Sequence, residues 1–286
     1  MKELYINAPA KINLLLHVKG LRDDGYHELE MIMQSVALAD RIKLKRTSGG
    51  IILNNSHHDL PNDENNLAYK AAEIFFEKND LDEGVEIYIE KNIPLAAGMA
   101  GGSSDAAAVM RGLYQLFEIE ADFNLLREDL AEIGSDVPYC LEGGTVFASG
   151  RGEKIEFLPY LGKKHLLLVT PKVCVATPEV FDIYDEMEIN SDFEIEPILN
   201  NLKSANSVDW SLDFKNDLAL PAKKLCGDIK EIEDIISNTD PQFYLMSGSG
   251  PTVFAVYESR KKAEKAAANW PRKNDFVTAT TTIDRY

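Results

Sequence analysis

The chain has 286 residues, of which 45% are hydrophobic and 27% charged; that is ordinary for a globular protein and enough to bury one large core or two smaller ones. A net charge of -17 argues against non-specific binding to nucleic acid, which needs basic patches, and no apolar run reaches the length of a membrane span, so neither is expected as a partner. The three cysteines, Cys140, Cys174 and Cys226, are scattered with no metal or disulfide spacing, and Met1-Lys2-Glu3-Leu4 leads into no signal-like apolar stretch; both fit a reducing cytoplasm.

Residues 3–7 read as a short strand broken by Pro9. From Ala10 to Val18 the chain alternates, with Ile12, Leu14, Leu16 and Val18 on one face and Lys11, Asn13, Leu15 and His17 on the other. Lys11 and Asn13 therefore share a face, which by itself reads as the solvated side of a half-buried strand. Gly20 to Leu29 is a loop by its glycines and aspartates. Tyr26 and His27 at its end suit two roles. They can stack on and hydrogen-bond a planar ligand, or they are an ordinary packed tyrosine and exposed histidine. Extended structure is expected over 31–44 and 51–53, with Gly49-Gly50 as the turn between. His57-His58-Asp59 reads as surface loop, because adjacent histidines on a polar loop rarely chelate one ion together. No residue is assigned to a metal. Pro61 to Asn66 leads into a helix over 67–78, and a strand follows over 85–89.

The next stretch is Pro94-Leu95-Ala96-Ala97-Gly98-Met99-Ala100-Gly101-Gly102-Ser103-Ser104. Very small residues open directly into strong helix formers, Asp105 to Phe117, with Ser103 and Ser104 as N-cap residues. The first N–H groups of such a helix have no internal partners and sit at the positive end of its dipole, so this is a ready site for an anion, phosphate above all. The spacing is neither that of a Walker A loop nor that of a Rossmann fingerprint.

A helix over 123–133 ends at Gly134. Asp136 stands just ahead of Pro138, where an aspartate ordinarily caps a short helix. A strand over 143–148 meets a hairpin-like turn at Gly150-Arg151-Gly152. The stretch Pro159 to Lys164 is a candidate domain boundary. A buried strand over 165–170 is followed by extended chain over 173–177 and a helix starting at Thr177 as N-cap with Pro178 at its first position. Residues 190–212 are weakly patterned helix and loop. Helices are expected over 218–225, 229–237 and 260–270, and strands over 243–246, 252–257 and 276–282. Ser247-Gly248-Ser249-Gly250-Pro251 is a second glycine turn, which a link between two strands explains as well as a ligand does. Strands and helices in this order make an α+β chain with mostly antiparallel sheets.

Three of these segments together resemble the motifs of the small-molecule kinases named after galactokinase, homoserine kinase, mevalonate kinase and phosphomevalonate kinase, the GHMP family. Ala8-Pro9-Ala10-Lys11-Ile12-Asn13-Leu14 resembles the first motif, Pro94 to Ser104 the phosphate-binding second, and Met246 to Thr252 the third. Order and spacing match over essentially the whole chain. Ala97 stands where many members have glycine, which removes some freedom there. Gly20 to Leu29 and Gly134-Ser135-Asp136-Val137-Pro138 further resemble the branch of the family that phosphorylates the 2-hydroxyl of 4-diphosphocytidyl-2-C-methyl-D-erythritol in the non-mevalonate route to isoprenoid precursors.

The resemblance implies two domains. Residues 1–158 would be an ATP-binding, catalytic domain of ribosomal-protein-like α+β fold, and 159–286 a ferredoxin-like, substrate-binding domain. It implies ATP and Mg2+, a small cytidine-diphosphate substrate, and a monomer or weak homodimer. Asp136 would take the substrate hydroxyl's proton, with Lys11 keeping it ionised. Pro94 to Ser104 would hold the ATP phosphates, Ser103 or Ser104 adding a hydroxyl to phosphate or magnesium, and Asn66 would lie near the adenine. Tyr26 and Phe181 would sandwich the cytosine while His27 reads its polar edge. Thr177 would bond the diphosphate, and Asn13, Gly248 and Ser249 would complete the substrate side. Rival readings are another kinase of the family, acting on a mevalonate-type acid, homoserine or a sugar, and a catalytically silent binding protein on the same fold.

Overall fold

The computed structural model describes residues 2–187, 193–204 and 208–286. In chain order its elements are β1 (Glu3–Leu21), β2 (His27–Thr47), β3 (Gly50–Asn55), α1 (Leu67–Lys78), β4 (Gly84–Glu90), α2 (Gly101–Phe117), α3 (Phe123–Ala131), α4 (Val137–Cys140), β5 (Thr145–Gly150) and β6 (Lys154–Phe157), then β7 (His165–Thr170), α5 (Thr177–Glu186), α6 (Glu196–Ser204), α7 (Ala219–Leu225), α8 (Gly227–Ser237), β8 (Phe243–Met246), β9 (Val253–Tyr257), α9 (Arg260–Ala268) and β10 (Phe276–Thr281). The reading of 190–212 falls partly outside the described residues; within them 196–204 are helical.

The chain forms two compact units that interleave in sequence. One comprises 1–10, 38–93 and 100–142, and the other 11–37, 94–99 and 143–286. Sequence alone suggested a single boundary near 159–164. In the first unit the second half of β2 pairs antiparallel with β4, from Arg41↔Glu90 to Thr47↔Gly84. β3 and β4 run parallel, because α1 carries the chain from one to the other as a crossover. α1 buries Ala68, Ala71, Ala72 and Phe75 against α2, whose inward face includes Ala106, Val109, Met110 and Leu113. That three-to-four spacing is the apolar stripe the sequence displays.

In the second unit the first half of β2 pairs antiparallel with β5, and β5 with β6. A separate four-stranded sheet has the order β10-β7-β9-β8, antiparallel throughout. Its central strands β7 and β9 read as unbroken apolar runs (Leu166 to Val169, Val253 to Tyr257), and all nine of these residues are buried. The fold is α+β with mostly antiparallel sheets, as expected. No helix among the described residues is long and apolar enough to cross a membrane.

One local expectation fails here. β1 is a single strand through Pro9, where a break was expected; Pro9 lacks an N–H, but its carbonyl accepts a hydrogen bond from Ser104 Oγ at 2.7 Å, so the strand keeps that partner. The chain expected to be extended over 173–177 carries no paired strand over 173–176, where Ala176 is in the extended region, and Thr177 already starts α5.

Candidate active site

β1 enters the second unit at Lys11. Both of its faces are covered there, so Lys11 and Asn13 are not solvated: Lys11 is 4% exposed and Asn13 0%. A buried ammonium needs an acceptor, and Lys11 Nζ donates to Asn13 Oδ1 at 2.7 Å. The Lys11 backbone N–H donates to the Met99 carbonyl at 3.2 Å, which ties the strand to the glycine loop.

Gly98 explains why that loop needs a residue without a side chain. Its φ is +68°, and a Cβ there would stand 2.2 Å from the Ser247 carbonyl oxygen. Ser247 Oγ donates to the Gly98 carbonyl at 2.9 Å and accepts from the Asn13 N–H at 3.2 Å. The first and third sequence motifs and the N-terminal part of the second therefore meet in the second unit. Ala97 is not in the left-handed region, so alanine there takes away nothing the loop uses. The left-handed residues are instead Ala96, φ +48°, and Ala100, φ +55°. Each costs about 1–2 kcal/mol relative to a relaxed backbone.

In the first unit α2 starts at Gly101, four residues before the expected Asp105, and Ala100 occupies the cap position without a side-chain hydrogen bond. Ser103 and Ser104 are thus inside the helix and cap nothing. Ser104 N–H donates to the Ala100 carbonyl and its hydroxyl to Pro9, so both of its donors are committed. The N–H groups of Gly101, Gly102 and Ser103, with the half-exposed Ser103 hydroxyl, are what the helix start offers an anion. Ser104→Ala is accordingly expected to cost about 1–2 kcal/mol of stability through the orphaned Pro9 carbonyl, with turnover retained. Denaturant melts beside steady-state kinetics check it.

The ends of this loop are held by a buried cluster. Lys91 Nζ pairs with Asp40 and, at 2.7 Å, with Asp105 on α2. Asp40 Oδ1 accepts from the Ile93 N–H at 2.8 Å, while Asp105 Oδ1 is buried with no partner among the described residues. Burial, reinforced by the Asp40 charge, pushes the Asp105 carboxyl well above its ordinary range despite the ammonium beside it. Burial works against the Lys91 ammonium, but Asp105 and Asp40 outweigh it and hold its pKa up.

Asp136 precedes α4 and makes no side-chain capping bond. Its carbonyl accepts from Cys140 N–H. Arg111 on α2 donates to the carbonyls of Cys140 at 2.8 Å and Leu141 at 3.1 Å, which docks the short helix carrying Asp136. Asn66, expected near adenine, caps α1: Oδ1 accepts from Ala68 N–H and Nδ2 donates to the Pro61 carbonyl.

The Gly20–Leu29 loop is braced by Arg22, which donates to Asp24 and Glu28. The Arg22 guanidinium, followed by the Tyr26 N–H, holds the Asp24 carboxyl below its usual range. Tyr26 is 54% exposed, with the Arg151 guanidinium 4.8 Å above its ring. His27 is buried, not exposed. Phe181 stacks on His27, at 4.6 Å and 19°. His27 Nε2 also meets Asp185 Oδ1 at 2.8 Å. Phe181 and Asp185 lie four apart on α5 and so share its face; that spacing was visible in the sequence but was not used. Thr177 is the first residue of α5, with Ala176 at the cap, so its hydroxyl is available to Ser249 Oγ at 2.7 Å. Sequence reasoning also missed Lys91, Asp40, Asp105, Ser247 and Arg111. Only the position of Lys91, just ahead of the loop, could have hinted at one of them.

Residues 66–146 match the model of the GHMP kinases N terminal domain, and residues 197–275 that of the GHMP kinases C terminal domain. The chain is 41% identical over 263 residues to the 4-diphosphocytidyl-2-C-methyl-D-erythritol kinase of Exiguobacterium sibiricum, covering 92% of both chains. It is 39% identical over 281 residues to that of Clostridium beijerinckii, covering 97% of this chain and 99% of the other. A crystal structure of 4-(cytidine 5'-diphospho)-2C-methyl-D-erythritol kinase superposes with a TM-score of 0.83 at 34% identity over 98% of this chain and 99% of that one. Homoserine kinase from Cytophaga hutchinsonii, at TM-score 0.75 and 16% identity over 100% of this chain and 96% of that one, shares the fold. By its motifs, its fold and these near full-length identities, the chain belongs to the 4-diphosphocytidyl-2-C-methyl-D-erythritol kinases, a family of the GHMP kinases.

Proposed function

We propose that this chain transfers the γ-phosphoryl group of ATP to the 2-hydroxyl of 4-diphosphocytidyl-2-C-methyl-D-erythritol, giving the 2-phosphate and ADP in isoprenoid precursor synthesis. The observation that carries this reading is the near full-length match to relatives named for that substrate. Phosphoryl transfer asks the protein for positioning and charge neutralisation. The uncapped start of α2 supplies N–H donors for the ATP phosphates. Asp136 accepts the proton of the attacking hydroxyl, and Lys11 offsets charge on the transferring group.

Mg2+ binds oxygen and keeps several waters, so one or two protein ligands beside the phosphates suffice. Among the described residues the cluster of metal-ligating side chains is His57–His58–Asp59, on a polar loop. The magnesium is therefore assigned to the phosphates, with Ser103 as the hydroxyl in the α2 start that suits it. When bound, it neutralises developing phosphate charge.

On the substrate side, Tyr26 stacks on the cytosine. A carboxylate only accepts, so Nε2 of His27 donates to Asp185, which leaves Nδ1 to read the polar edge of the base. Thr177 and Ser249 bond the diphosphate as a pair. Tyr26→Ala raises KM for the cytidine substrate about three- to tenfold, the worth of one aromatic stack, and leaves KM for ATP unchanged; an unchanged substrate KM removes Tyr26 from the site. The reading as a whole is tested by ADP release with Mg-ATP and the diphosphocytidyl substrate, with mevalonate, homoserine and galactose alongside. Turnover with the first alone supports it. Turnover with another acceptor instead discards the roles of Tyr26, His27 and Phe181.

A further inference from the structure

Asn216 lies in none of the three family motifs, and nothing in its local sequence marks it. It is 7% exposed, and all its side-chain polar groups are used. Oδ1 accepts from the Leu218 N–H at 3.0 Å, a local turn at the start of α7. Nδ2 reaches 30 and 32 residues along the chain, donating to the carbonyls of Met246 at 2.8 Å and Gly248 at 2.7 Å. These carbonyls flank Ser247, whose hydroxyl joins Gly98 and Asn13. Turning them toward Asn216 fixes the peptide planes of the turn, in which Gly248 has φ +57° and Gly250 φ +84°.

Asn216 is itself fastened to β1. Leu16 N–H donates to the Lys215 carbonyl, and Asp217 N–H to the Leu16 carbonyl, both at 2.9 Å. The Asp217 carboxylate accepts from Val18 N–H at 2.9 Å and meets His17 Nδ1 at 2.6 Å. Lys215 Nζ stands 3.1 Å from the same carboxylate. A three-residue segment thus clips onto the strand that carries Lys11 and Asn13, and its central side chain holds the glycine turn.

We propose that Asn216 is a positioning residue for phosphoryl transfer: its amide holds the Met246–Gly250 turn against Gly98, so that the phosphate loop and the strand carrying Lys11 keep one geometry. The inference rests on the reading of the site given above. A loop loosened by a fraction of an ångström loses rate out of proportion to stability.

Asn216→Ser is the test. A serine hydroxyl can still accept from the Leu218 N–H, but both donors to the turn are gone and no charge is buried. Thermal melting, the affinity for a non-hydrolysable Mg-ATP analogue by calorimetry, and kcat and KM for the diphosphocytidyl substrate are measured on the full chain at room temperature. The expected result is a cooperatively folded protein whose kcat/KM falls about tenfold or more, with kcat itself lowered, and whose nucleotide affinity weakens about threefold or more. A variant with a lowered melting temperature but kcat/KM and nucleotide affinity within about twofold of wild type has lost only structure, and the proposal is overturned. If wild type itself does not turn over that substrate, the functional reading fails, and nucleotide affinity alone decides the role of Asn216. Should Asn216→Ser not fold, Asn216→Ala, which also lacks both donors to the turn and buries no charge, is read the same way.

Discussion

Asp136→Asn lowers kcat about a hundred- to ten-thousandfold, the range for removing a positioned general base, and leaves the fold intact. The second half of that expectation comes from the geometry. An aspartate ahead of a helix is ordinarily a cap, and its loss would cost about 1 kcal/mol. Here the side chain makes no capping bond, so no cap is lost, and Arg111 docks α4 through the carbonyls of Cys140 and Leu141. Asparagine keeps the shape and polarity and loses the basicity, so rate and stability separate. Substrate KM should move little, because the interaction lost is one made in the transition state. Near-normal turnover with either substrate saturating would remove Asp136 from the chemistry.

Lys91→Met destabilises the protein by about 3–5 kcal/mol, the cost of leaving buried charge without its counter-ion. The Lys91 ammonium is 3% exposed and serves two carboxylates that are themselves at or below 3%. Removing it strands both, and the chain just ahead of the phosphate loop loses its anchor. Asp105→Asn should behave oppositely. Burial raises the Asp105 carboxyl well above its ordinary 3.8. Over the interval from 3.8 up to the folded value the native state holds one more proton than the unfolded state, so stability falls as pH rises. Asparagine, with nothing to titrate, removes that slope. Relative to wild type it should gain stability between about pH 5 and about pH 8. Urea midpoints at the two pH values check both variants. A Lys91→Met midpoint equal to wild type, or an Asp105→Asn difference that does not change with pH, would sink this account of the cluster.

The motifs were readable because their chemistry is local. Glycines before a helix, alternation along β1 and a proline at a helix start each report on a few neighbouring residues, and each placed its element within a turn. Their partners were not readable. Ser103 and Ser104 both look like caps, yet the helix begins before them and Ser104 points its proton at Pro9, 95 residues away. Thr177 looks like a cap too, but pairs with Ser249 across 72 residues. The stack of Phe181 on His27 joins residues 154 positions apart in the chain, and no local pattern announces it. Ala97 was expected to lose some backbone freedom, and the left-handed residues of the loop are instead Ala96 and Ala100.

By itself the sequence determined the class of fold, the run of strands and helices, the anion-binding character of the glycine loop, and, through three motifs at family spacing, the kind of enzyme. Only the tertiary structure decided which faces of β1 are covered, which serine keeps its hydroxyl, and that Asn216 closes the glycine turn. The reason is physical. Periodicity and capping are set by neighbours in the chain, whereas burial and the hydrogen bonds that satisfy buried polar groups are set by segments that the topology brings together from far apart in sequence.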